Sequence, residues 1–136
     1  MAKSKISEME EHHETVVDGV VTMMKPVLDK SEQPIFVYLD DNHKSCNKRF
    51  AAMLGYGSPE EFSKVRENFV ETFIAKESQE AVMRNYSETF TKKLSASVFQ
   101  GEWKKKDGST VNTTVIHVPI SYDGHLVALG FVSEKR

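Results

Sequence analysis

Between residues 7 and 30 the chain carries a stripe at helical spacing. Met9, His13, Val16, Val20, Met23 and Val27 recur every three or four residues, and Val17, Val21, Met24 and Leu28 widen the stripe on one flank. Ser7, followed three residues later by Glu10, has the form of a capping box, so a helix is expected to open there. Gly19 costs such a helix about 1 kcal/mol relative to Ala, and the pairs Val16-Val17 and Val20-Val21 are stiff. The helix is therefore weak alone and needs a partner, either its own sheet or a second copy of the chain. Pro26 is expected to kink or end it.

After Ser31-Glu32-Gln33 the period changes from helical to extended. Residues 35–39 read as a strand, Asp41-Asn42-His43 as a tight turn, and 44–46 as a second short strand. Asn47 suits the cap of a helix that carries Phe50, Ala51, Met53 and Leu54 inward, with Gly55 ending it. Ser58-Pro59-Glu60-Glu61 repeats that logic with a capping serine, proline in the first turn and two acids facing the helix dipole. A longer helix over 77–93 is expected to turn Ala81, Val82, Tyr86, Phe90 and Met83 inward. Three strands follow over 97–105, 110–120 and 126–133, joined by turns at Asp107-Gly108 and Asp123-Gly124. This order predicts an α+β fold around an antiparallel sheet. Segments 35–39 and 126–132 are apolar on nearly every residue, so both faces of the sheet are expected to be covered there, the second by the leading helix, either of the same subunit or across a dimer.

Composition narrows the function. The 136 residues hold one domain with a core plus an extra helix. With 39% hydrophobic and 28% charged residues and a net charge of −2, the chain has no general attraction to nucleic acid or membrane. The single cysteine, Cys46, makes no internal disulfide, and no apolar run is long enough to span a bilayer. A cytoplasmic protein is expected.

The run Ile35-Phe36-Val37-Tyr38-Leu39, the turn Asp40-Asp41-Asn42-His43, then Asn47-x-x-Phe50-x-x-x-Leu54-Gly55-Tyr56 and Ser58-Pro59-Glu60-Glu61 together resemble the opening of a PAS domain. Lys105-Lys106-Asp107-Gly108-Ser109 resembles that family's second landmark, a basic hairpin turn. The likeness covers roughly residues 33–135, about three quarters of the chain, which divides it into a helix and link (1–32) and a PAS-like domain (33–136). The resemblance implies a five-stranded antiparallel sheet with helices on one face. It also implies a sensory or protein-interaction module in signal transduction, which binds a small molecule or partner between sheet and middle helices, or dimerises, and signals through its flanking helix. No effector segment is recognisable beside it, so a free-standing module or a piece of a longer protein is expected.

Family chemistry is matched only in part. Flavin-binding members carry Asn-Cys-Arg-Phe-Leu-Gln on a middle helix, whereas this chain has Cys46-Asn47-Lys48-Arg49-Phe50 at a strand end. Haem-binding members use a histidine on the long helix, and 77–93 has none, which leaves only His117 or His43. The resemblance therefore supports neither flavin nor haem, and the cofactor is unknown. Phe50, Met53, Leu54, Phe73, Met83, Tyr86, Phe90, Phe99, Trp103, Val115 and His117 are the candidates for a ligand pocket, or for a closed core. Met9, His13, Val16, Val20, Met23 and Val27 are the candidates for a homodimer interface. His12 and His13 point about 100° apart on a helix and do not share one ion, so no metal is expected there. Arg84, Lys92 and Lys93 are candidate anion anchors or a solvated face. No catalytic motif is present; the alternative function is a small acid-base enzyme, an isomerase or hydratase, which requires an open cavity with a buried titratable group.

Overall fold

The structure, a computed structural model, describes residues 5–93 and 95–135; the side chains of residues 5–7 and 91–93 lie outside what it describes. Helix α1 (Lys5–Lys30) leads into strands β1 (Ile35–Asp40) and β2 (His43–Cys46). Helices α2 (Lys48–Met53), α3 (Pro59–Ser63), α4 (Phe69–Phe73) and α5 (Lys76–Ser87) follow, and α5 continues as a π-helical turn (Glu88–Lys93). Strands β3 (Ser97–Lys104), β4 (Thr110–Tyr122) and β5 (His125–Glu134) complete the chain. They form one five-stranded antiparallel sheet in the order β2-β1-β5-β4-β3.

That order explains the two all-apolar segments. The first and the last strand of the chain, β1 and β5, are neighbours inside the sheet, pairing Ile35 with Phe131 and Val37 with Leu129. Phe36 and Val132 face the middle helices in one core with Phe50, Phe62, Phe73 and Trp103. Ile35, Val37, Val127 and Leu129 face the other way, into a second core with Val16, Val17, Val20 and Leu28 of α1. Helix and sheet cover each other within one chain.

Local chemistry fixes the helix starts. Asn47 is buried; its Oδ1 accepts from the amides of Phe50 (2.9 Å) and Ile35 (3.0 Å), and its Nδ2 donates to the Gln33 carbonyl (2.9 Å), so one cap also ties β1 to α2. Ser58 caps α3 by accepting from the Glu61 amide, with Pro59 in the first turn. Lys44 is buried beneath α3, donates to the carbonyls of Asp41 and Val65, and has its pKa pulled down to about 8 by burial.

Three features of the leading helix bear on what its sequence pattern implies. It is already helical at Lys5, the first described residue, ahead of Ser7, whose side chain lies outside the described set. It passes through Pro26 without ending, because Leu28 is buried against the sheet and the Ser31 amide donates to the Val27 carbonyl at 2.9 Å, holding the last turn. Gly19 is where the Tyr122 ring crosses the helix: an added Cβ would lie 2.3 Å from the Tyr122 hydroxyl oxygen. The glycine that weakens the helix is the one that lets it dock.

Candidate functional site

Between the inner sheet face and the helices lies a cavity of about 340 Å³. Strand alternation builds its floor. Phe36 and Tyr38 of β1, Phe99 and Trp103 of β3, and His117 of β4 point to one face, and Phe69 and Val70 of α4 with Val82, Met83, Tyr86 and Ser87 of α5 close over them. Helix α5 is pinned to β3 by the Ala75 amide on the Glu102 carbonyl (2.8 Å) and the Glu102 amide on Ser78 Oγ (3.0 Å). On β3, Gly101 stands between Phe99 and Trp103 and meets Val82 with no side chain of its own.

The walls are mostly apolar and the polar groups few. Asp41, at the β1–β2 turn, accepts at Oδ1 from the Tyr38 hydroxyl (3.1 Å) and from the Phe69 amide at the start of α4 (2.9 Å). Burial and the Asp41 carboxylate push the Tyr38 pKa up, and burial chiefly does the same for Tyr86, so both stay neutral hydroxyls. Trp103 Nε1 donates to Thr113 Oγ1 (2.9 Å), which donates in turn to the Gly101 carbonyl (2.9 Å). His117 is different. It is 5% exposed, burial pulls its pKa down to about 4, and its Nδ1 has no hydrogen-bond partner among the described residues.

The structure brings only some of the expected pocket residues together. Met83, Tyr86, Trp103, His117 and Phe99 line the cavity. Phe50, Met53, Leu54, Phe73 and Val115 do not; they fill the core beside it. Phe90 stands behind the wall, stacked on Tyr86 at 4.6 Å and 5.4 Å from the His117 ring. Ala81 and Met83, expected inward on α5, are both exposed, Met83 at the cavity rim, because the burial face of this short helix centres on Val82. Phe36, Tyr38, Asp41, Asn68, Phe69, Val70, Val82 and Ser87 line it as well, beyond the pocket candidates that the sequence pattern picks out. Residues 35–39 of β1 are apolar throughout, so the pattern does not say which of them faces the helices; the pairing with β5 decides it.

The expected dimer stripe divides as well. Val16 and Val20 are fully buried against their own sheet, and His13 is turned onto Asp40, so these three are internal contacts. Met9, Met23 and Val27 remain exposed at 58%, 53% and 43%. The burial axis runs through Val17, Val20, Met24 and Leu28, nearer the flank than the centre of the stripe. Among the anion anchors, Arg84 is paired with Glu80, while the side chains of Lys92 and Lys93 lie outside the described set. Cys46 is buried in the core away from the cavity, and burial pushes its thiol pKa up.

A sheet in this order, helices over one face and an apolar cavity between them make up the PAS-domain fold, and the chain has it. No protein-family model and no curated protein matches the chain. Among solved structures it is similar to the PAS domain of a two-component sensor histidine kinase (13% identity, TM-score 0.65, 87% of this chain and 98% of that one). It is also similar to the PAS domain of a protein from Colwellia psychrerythraea (18%, 0.66, 85% and 97%). A third is the PAS domain of an HTR-like protein from Haloarcula marismortui (21%, 0.59, 92% and 99%). At these identities the likeness is one of fold. Among the described residues no helix is long and apolar enough to cross a membrane.

Proposed function

We propose that the chain is a sensory module of signal transduction that binds a small, uncharged, largely apolar molecule in the cavity and passes its occupancy to α1. One observation carries this reading: the buried Nδ1 of His117, without a hydrogen-bond partner among the described residues, in a mostly apolar chamber. Such an atom costs about 1–3 kcal/mol when left unsatisfied, and a ligand hydroxyl or carbonyl beside it recovers that cost. The volume lies at the lower end of the roughly 300–1,000 Å³ of small-molecule sites.

The route to α1 is short. β1 and β5 carry Phe36 and Gly130 on the cavity side and Ile35, Val37, Val127 and Leu129 on the helix side, so repacking one face shifts the other. The same reading places the module in the cytoplasm, acting as a homodimer through the exposed edge of α1 at Met9, Met23 and Val27. Acid-base catalysis is the second reading, because His117 is a titratable group in a cavity. It fits less well: with a pKa near 4 His117 is a feeble base at neutral pH, and Asp41 is already engaged by two donors.

Native mass spectrometry of the untagged protein with millimolar phenol tests the proposal. The wild-type chain is expected to carry one added phenol, and Val82→Phe, which fills the chamber, to carry none. Equal spectra for the two proteins overturn it.

A further inference from the structure

Four of the chain's five histidines gather at one end of the sheet, and none of the four lines the cavity. His12 and His13 come from α1, Asp40 and His43 flank the β1–β2 turn, and His125 opens β5. The Asp40 carboxylate lies between two imidazoles, with Oδ2 3.0 Å from His13 Nδ1 and Oδ1 2.6 Å from His43 Nδ1. The His13 ring is 5.4 Å from that of His43 and 5.1 Å from that of His125, which is itself 4.8 Å from His12. His12 Nε2 stands 3.9 Å from Asp123 Oδ2.

We propose that His13, Asp40 and His43 form a three-ligand binding site, its fourth position open to water, for a divalent transition-metal ion of the Zn²⁺ class that fastens α1 to the sheet. The donor set is the one such ions prefer, imidazole nitrogen with a carboxylate. One ligand atom from each of His13, Asp40 and His43 already lies within 4.8 Å of the others. Around a tetrahedral ion with bonds of about 2.0–2.1 Å ligand atoms sit roughly 3.4 Å apart, so the two carboxylate–imidazole pairs, at 2.6 and 3.0 Å, open and the wider separations close by small side-chain rotations. The Asn42 amide donates to Asp40 Oδ1 at 2.9 Å, which orients the carboxylate as an outer-sphere partner does. His43 is 9% exposed while His13 and Asp40 are 24% and 39% exposed, so an ion has a firm back wall and a path in. Lys44, next along the chain, does not occupy the centre, because its ammonium is bonded to the carbonyls of Asp41 and Val65.

The ligands come from three segments that a hydrogen-bonded pair alone would not unite. They join the leading helix to both strands of the β1–β2 hairpin, so an ion adds a clamp to a helix that is weak by composition. The geometry that separates adjacent helical histidines holds here: His13 turns to Asp40 and His12 toward Asp123. The partners absent from the helix sequence stand 27 or more residues away.

Titration of the untagged full chain with Co²⁺, followed by visible absorption, and displacement by Zn²⁺ against a coloured chelator test the site. One ion per chain is expected, with the affinity reduced at least tenfold by His13→Ala and by His43→Ala and unchanged by Glu77→Gln on α5. Zn²⁺ is also expected to slow hydrogen exchange in α1 of the wild type and not of His13→Ala. His13→Ala removes a partly exposed ring and keeps the core intact, so it decides the matter if His43→Ala folds poorly. No saturable binding by the wild type, or equal binding by His13→Ala, overturns the proposal.

Discussion

Gly130→Ala is expected to destabilise the domain by about 1–3 kcal/mol and to shrink its cavity at the same time. Gly130 lies on β5 opposite His117 of β4, and the Phe36 ring sits directly over it: an added Cβ would come within 2.0 Å of the ring. Four aromatic neighbours limit the retreat of that ring, with centroids at 5.4 Å (Phe50), 5.5 Å (Trp103) and 6.1 Å (Phe69 and His117). The open direction is the chamber that Phe36 lines. Urea denaturation reads the stability and phenol affinity reads the volume; a variant with both unchanged contradicts the packing described for β1 and β5.

The second large effect is a dependence on acid. His117 is held neutral by burial, with a pKa of about 4, against about 6.5 in an unfolded chain. Its contribution is fully present above pH 6.5, where both states are neutral. As the pH falls from 6.5 toward 4 the unfolded chain binds a proton that the folded one refuses, and stability is lost over that window, by about 3 kcal/mol in total at 1.36 kcal/mol per pH unit. Below the folded value the loss levels off. Urea unfolding at pH 7, 5.5 and 4.5 is expected to show this decline in the wild type and to show it reduced by that amount in His117→Leu. The same decline in both proteins would mean that the ring is not shielded from protons.

The elements legible in the sequence are those set by local chemistry. Asn47 and Ser58 cap helices because their side chains reach amides three residues on, and Asp107-Gly108 and Asp123-Gly124 close hairpins with both glycines at positive φ (91° and 78°). The apolar run of β1 and β5 also announced a sheet covered on both faces, and both covers are present. What stayed hidden depends on register and on distant contacts. The stripe of α1 is so wide that pattern alone did not choose between the Met9–Met23–Val27 edge and the Val17–Leu28 flank; contact with Val37, Val127 and Leu129 did. The aromatic residues divided between cavity and core for the same reason: Phe50 and Phe73 sit on helices seated in the core, whereas Trp103 and Phe99 flank a glycine that leaves space. Of the histidine cluster the sequence displays only the adjacent His12 and His13, which cannot share an ion; Asp40 and His43 join His13 only once α1 lies across the sheet.

The central claim is that the cavity takes a ligand and that α1 senses it. The most direct measurement is one phenol titration followed by NMR, watching the Trp103 indole N–H and the His117 ring in the cavity together with the methyl groups of Val16, Val20 and Leu129 on the far side of the sheet. The account expects all of them to shift saturably with a single dissociation constant. No saturable shift at Trp103 and His117, or shifts there with the methyl groups of α1 unmoved, would contradict it.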